Sequence, residues 1–296
     1  MALVPVNARE GRLEGADRLA AALSAAGPLT SVTVMIHGYR FCPFGDPAHS
    51  PHNHILSFAP VRDCWKAVSW PRHLRVGRGG MIGVALGWSA RNTLMTAYDR
   101  AGETGAALAR IAAIVAETRP GLPVNVVAHS LGARVALSAL PRLPKGALGR
   151  MILLSGAEYR GRAAEALDSP AGRTARVVNV TSRENLPFDA AFRALIRPAS
   201  WSDLPLASGM GGGRSNWLDL RIDCPAHADR LARSGFRLRP PSTRFCHWSG
   251  YMRPGVFPLY RALLEDPGEV LFAGLRQALA AQAVRRSPAS GVLTAT

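Results

Sequence analysis

The chain has 296 residues, 48% of them hydrophobic and 7% aromatic, with 36 Lys and Arg against 20 Asp and Glu for a net charge of +16. That is enough apolar material for one large core, and it excludes a disordered, collagen-like or disulfide-built chain. The basic residues are overwhelmingly arginine and scattered without a concentrated block, which argues against nucleic-acid binding but leaves a positive surface able to attract anionic substrates or lipid headgroups.

The opening residues, MALVPVNAREGRLEG, have no basic start leading into an apolar segment, and no later run is long enough to span a bilayer. The sequence therefore predicts no stable membrane insertion and a cytoplasmic location. Cys42, Cys64, Cys224 and Cys246 show no C-x-x-C spacing, so they read as reduced thiols rather than as zinc ligands or a redox pair.

SVTVMI, from Ser31, reads as a buried strand closed by His37 and Gly38. A Pro- and His-rich loop over 41–60 follows, carrying Asp46, His49, His52 and His54. Its spacing matches no helical zinc motif, so it reads as an ordered excursion over the active site rather than a metal site. MIGVALGWSA from Met81 reads as a strand with glycines at its exit. An Ala-rich helix runs from about Thr93 to Arg119, stopped by Pro120 and Gly121. The segment Val124 to Leu137, VNVVAHSLGARVAL, is a β-branched run that ends at Ser130 and turns into a helical pattern. Ala128 and Gly132 flank the serine with small groups, as a strained strand-to-helix turn requires. Two further strands lie in GRMILLSGAE and in ARVVNVTSREN from Ala175. Strands alternating with helical stretches imply βαβ units and a mainly parallel sheet with helices on both faces.

With its HG pair upstream of an AHSLG turn, the chain resembles the α/β-hydrolase superfamily from about Val32 to Leu264. The resemblance implies an α/β-hydrolase fold in which Ser130 is the nucleophile and the main-chain N–H groups of Tyr39 and Leu131 hold an oxyanion. The His37 ring takes a structural part. The general base in that superfamily follows the last strand, which points to His247, in RFCHWSGYM, over His227, while His129 faces away from the working side of Ser130. For the acid, Glu184 is the first choice because it lies nearest the strand exit; Asp189 is second and Glu158 third. Asn185 and Leu186 occupy positions where an aspartate would be expected.

These residues imply an acyl-enzyme mechanism without metal or cofactor, acting on a small-molecule acyl substrate, most simply a carboxylic ester. A lipase, thioesterase or acyltransferase would use the same triad, and loss of the third member would leave a non-catalytic binding protein. The sequence predicts a single domain over 1–284 and a flexible tail over 285–296. A second long loop, over 197–245 and rich in Gly and Pro, is expected near the site; Trp217 within it reads either as a lid aromatic or as core. Oligomeric state is not legible.

Overall fold

A computed structural model of the chain describes residues 2–61, 64–211 and 213–286. Its centre is one sheet of eight strands, β1 (Leu3–Arg9), β2 (Arg12–Glu14), β3 (Ser31–Ile36), β4 (Met81–Trp88), β5 (Val124–His129), β6 (Arg150–Leu154), β7 (Arg176–Thr181) and β8 (Trp217–Arg221). They lie in the order β2-β1-β4-β3-β5-β6-β7-β8. Among these eight strands the β1–β2 hairpin is antiparallel and the other pairings are parallel.

The β-branched runs are apolar throughout because both faces of the sheet are covered. Along β3 and β5, Val32, Val34, Ile36, Val124, Val126 and Ala128 enter one core, and Met35 and Val127 enter the other. The first face carries α1 (Ala16–Ala25), α3 (Leu94–Thr118), α4 (Leu131–Ala139), α5 (Arg160–Leu167) and α6 (Leu186–Leu195). The second carries α2 (Trp70–His73), α7 (Pro225–Arg233), α8 (Ser249–Met252), α9 (Val256–Glu265) and α10 (Val270–Arg286). Each fully buried Val, Leu or Ile contributes about 1.5–3 kcal/mol before conformational entropy is charged against it.

The helix expected from Thr93 begins one residue later, with the Thr93 hydroxyl accepting the Thr96 N–H at 3.1 Å as an N-cap. It ends before Pro120, and Gly121 takes the left-handed conformation (φ 80°) that turns the chain into β5.

The N-terminal segment adds to the sequence reading, and two expectations are corrected. The N-terminal segment is part of the sheet: β1 lies in register along β4, from Leu3 beside Gly83 to Ala8 beside Trp88. The stretch over 197–245 is not wholly irregular, since it contains β8 and α7, and Trp217 is core, 5% exposed. The proposed tail begins inside α10, which continues through Arg286, and residues 287–296 lie outside the described residues. No helix among the described residues is long and apolar enough to cross a membrane.

Parallel pairing brings the C-terminal ends of β3 to β8 to one edge of the sheet, where the loops holding His37, Ser130, Ser155, Glu184 and Asn185 emerge together. In open parallel sheets that edge is where ligands bind.

Candidate active site

Ser130 joins β5 to α4 with φ 54° and ψ −123°, a conformation that an L-residue adopts only when its surroundings enforce it. The enforcement is visible on both sides. Ser130 N–H donates to the Leu154 carbonyl at 3.0 Å, and the Ser130 carbonyl accepts from Ala133 and Ala157, each at 3.0 Å. Side chains would prevent this packing at two glycines. A methyl group on Gly132 would stand 2.7 Å from the Ile36 carbonyl oxygen, and one on Gly38 would stand 2.7 Å from Ser130 Cβ and 2.9 Å from the His129 carbonyl oxygen. Gly38→Ala is accordingly expected to lower the unfolding free energy by about 2–4 kcal/mol in urea titrations. Gly27→Ala, whose added methyl meets nothing within 4 Å, should shift it by less than about 0.5 kcal/mol.

The same close approach brings the turn after β3 against Ser130. Tyr39 is fixed by its hydroxyl, which donates to the Asn92 carbonyl at 2.6 Å, and Arg40 N–H donates to Ala90 at 2.8 Å. Among the described residues, the main-chain N–H groups of Tyr39 and Leu131 donate to no main-chain carbonyl. The His37 ring is fully buried and stacked on Trp88, and its Nε2 accepts the Trp88 main-chain N–H at 3.0 Å. Burial lowers its pKa to about 3, so it is a neutral strut that shapes the turn.

His247 lies beside His129, the residue that precedes Ser130. His129 Nε2–H donates to the His247 carbonyl at 3.1 Å, the two rings are 4.6 Å apart, and Cys246 N–H donates to the Glu184 carbonyl at 2.9 Å. The loop that carries His247 is thereby tied to both β5 and the exit of β7. Phe188 stacks on the His247 ring at 4.8 Å and Trp248 meets it edge-on at 5.8 Å. Burial, followed by the neighbouring His129 and Lys66, holds the His247 pKa well below the usual histidine range. Burial likewise brings His129 down to about 4. No hydrogen bond joins the Ser130 hydroxyl to His247 in this conformation; such contacts are commonly long before substrate arrives and tighten in the complex.

The third position is where the sequence reading is corrected. His247 Nδ1–H donates to Asn185 Oδ1 at 2.6 Å, and Asn185 Nδ2–H donates to Asp189 Oδ1 at 2.7 Å. Glu184 does not face His247. It lies in the 3-10 turn Arg183–Asn185, bonded to the Ser182 hydroxyl at 2.8 Å and ion-paired with Arg253, whose guanidinium also holds the Ile222 carbonyl. A carboxylate with 5% exposure must be paired where it sits, and Arg253 supplies the partner. Asp189 is one hydrogen bond removed from His247. Burial pushes its pKa up to about 7, against the lowering effect of the Asn185 amide. Glu158 is absorbed elsewhere, accepting from Tyr98 Oη at 2.6 Å and from Arg134 at 2.6 Å. His227 Nδ1 accepts the Arg221 N–H at 3.0 Å at the end of β8.

The loop over 41–60 contains two 3-10 turns, Pro47–His49 and Pro51–Asn53. Its histidines serve the fold separately: His52 Nε2 lies 2.7 Å from Asn7 Oδ1, His49 lies 3.5 Å from Asp46, and His54 packs on Phe41. Among the described residues no group of three His, Cys, Asp or Glu side chains could hold a metal ion, and Cys42, Cys64, Cys224 and Cys246 are all free thiols.

The arrangement therefore offers a strained serine, two N–H donors without a main-chain partner and a neutral imidazole oriented by an amide that is itself bonded to a carboxyl group. A scan of the sequence against protein-family models finds no match, and a search of curated proteins finds no significant one.

Proposed function

We infer that this protein is a serine hydrolase of the α/β-hydrolase type, cleaving a carboxylic ester through an acyl-enzyme on Ser130. The observation that carries the reading is the Ser130 turn: a strained strand-to-helix serine, held tight by Gly38 and Gly132, with a neutral histidine on the adjoining loop. A core residue or a helix cap needs none of that strain.

In the proposed reaction, His247 Nε2 takes the Ser130 proton as Oγ attacks the acyl carbonyl. Charge on the carbonyl oxygen is met by the N–H groups of Tyr39 and Leu131, each donor contributing about 2.7–4 kcal/mol to the transition state by analogy with measured oxyanion holes. His247 returns the proton to the leaving alcohol, and water then hydrolyses the ester on Ser130 by the same steps. Asn185 Oδ1 fixes the tautomer that leaves Nε2 free to act as base. The charge that steadies the imidazolium comes from Asp189 through the amide, a weaker arrangement than direct contact with a carboxylate. Thioester hydrolysis and acyl transfer to another alcohol use the same groups.

Asn185 in the place of a carboxylate favours a second reading, a hydrolase-like binding protein with an idle serine. Reaction with a fluorophosphonate separates the two. Wild type is expected to become covalently labelled and Ser130→Ala not at all, with turnover of p-nitrophenyl esters of increasing length then sizing the acyl pocket. A folded wild type that resists labelling moves the assignment to the binding protein.

A further inference from the structure

The mouth of this site is rimmed by side chains that a soluble enzyme would ordinarily bury. Trp65 is 66% exposed, Leu186 57%, Phe245 54% and Phe188 37%. They are neighbours rather than scattered: Phe188 and Trp65 both pack against Trp248, at 5.8 and 5.7 Å, and Phe245 precedes Cys246, which is bonded to the Glu184 segment. Single exposed hydrophobics are ordinary, but a contiguous group of this kind marks an interaction surface. Phe192, packed between Tyr98 and Tyr159 at 5.8 and 5.0 Å, anchors the inner face of α6 and leaves Leu186 and Phe188 outward.

Charge says what the surface faces. Lys66 Nζ sits 3.6 Å from the Trp248 ring and 5.4 Å from that of Trp65, the Arg244 guanidinium is 5.3 Å from the Phe245 ring, and Arg183 is exposed beside them. The carboxylates of α6 and the turn before it are occupied inward, Glu184 by Arg253 and Asp189 by Asn185. Exposed aromatics interleaved with cations, on a chain of net charge +16, complement a boundary that is apolar below and anionic at its surface. Tryptophan and snorkelling lysine or arginine are the side chains that settle there.

We propose that this rim docks the protein on anionic phospholipid bilayers, seating Trp65, Leu186, Phe188 and Phe245 among the headgroups and presenting the Ser130 site to lipid esters. Docking stands on the rim alone; only the fate of the docked lipid rests on the hydrolase reading.

Sedimentation with phosphatidylglycerol–phosphatidylcholine vesicles, compared with pure phosphatidylcholine, tests it without reference to turnover. The full chain is expected to pellet with the anionic vesicles, to do so less as salt rises, and to remain largely in solution with the neutral ones. Trp65→Ala combined with Phe245→Ala, checked for folding by circular dichroism, should weaken partition about tenfold or more. Lys66→Gln and Arg244→Gln should each weaken it about fivefold. Ser130→Ala should partition as wild type does, so vesicle binding and fluorophosphonate labelling fail or succeed independently. The proposal is overturned if wild type does not pellet with anionic vesicles. It is equally overturned if the aromatic double variant pellets as well as wild type, since diffuse net charge would then account for the binding.

Discussion

Acidification from pH 7 to about pH 4.5 is expected to unfold this protein in one cooperative transition, followed by far-ultraviolet circular dichroism and tryptophan fluorescence. Burial lowers His37 to about 3 and His52 and His129 to about 4, and it holds His247 well below its usual range. In the unfolded chain each of these takes up a proton near pH 6.5, whereas the folded protein refuses it until far lower. Unfolding therefore binds protons throughout that window. The associated stability is complete above pH 6.5 and is lost progressively as pH falls toward 4 and 3. Each histidine removes about 1.4 kcal/mol per pH unit in this range, so His37, His52 and His129 together cost about 4 kcal/mol at pH 5.5, against a typical total of about 5–15. Asp189, pushed up to about 7, works in the opposite direction. Its carboxyl is more easily ionised unfolded than folded, so protonation from pH 7 downward favours the folded state and offsets roughly one histidine. The mechanism at His37 is explicit: its Nε2 accepts the Trp88 N–H at 3.0 Å, and a proton there sets two donors face to face. A urea midpoint unchanged between pH 7 and pH 4.5 would contradict this account.

Asn185→Leu is expected to slow fluorophosphonate labelling by about 10³-fold or more while leaving the fold intact. Leucine is close to asparagine in size but cannot accept the His247 Nδ1–H, now bonded at 2.6 Å, so the ring loses both its tautomer and its orientation. Asn185→Asp sharpens the test. A carboxylate in direct contact raises the His247 pKa, so the acid limb of the rate profile should move to higher pH, with labelling at pH 8 within about tenfold of wild type. The new carboxyl would lie about as close to Asp189 as the amide does at 2.7 Å, and the two would titrate as a pair sharing one proton near neutrality. Equal labelling rates for wild type and Asn185→Leu would show that Asn185 does not orient the base.

The parts of this architecture that were legible are those where sterics act on adjacent residues. Gly132 and Gly38 are small because main-chain atoms approach within 3 Å of where a side chain would begin, and such a constraint writes itself into a short motif. The long helix was legible because Thr93 and Pro120 punctuate it. The partner of the His247 ring was not, because a carboxylate after a strand is a chemical expectation and not a spacing rule. Glu184 and Asn185 are adjacent in sequence, yet the turn directs one inward to Arg253 and the other to His247. Only the partner of Glu184, 69 residues away, decides which is which. β8 was hidden because its five residues, WLDLR, follow a glycine-rich run and include an aspartate, which accepts the Trp217 indole N–H and the Asn179 amide, each at 2.8 Å. β1 was hidden by Pro5. That residue is tolerated because β2 pairs only from Asn7 onward, leaving Pro5 without a second strand that would call for its missing N–H.

The brevity of β2 bears on how copies of this chain can meet. It closes its end of the sheet with three residues, its outer side chains Arg12 and Glu14 are exposed, and Glu14 lies 3.8 Å from Arg9 across the hairpin. An incoming strand would find about 10 Å of unpaired main chain bounded by charge, too little to hold a partner in register. At the other end of the sheet α10 lies against β8. Crowding many copies together therefore does not extend their sheets through the β2 edge into a continuous ribbon.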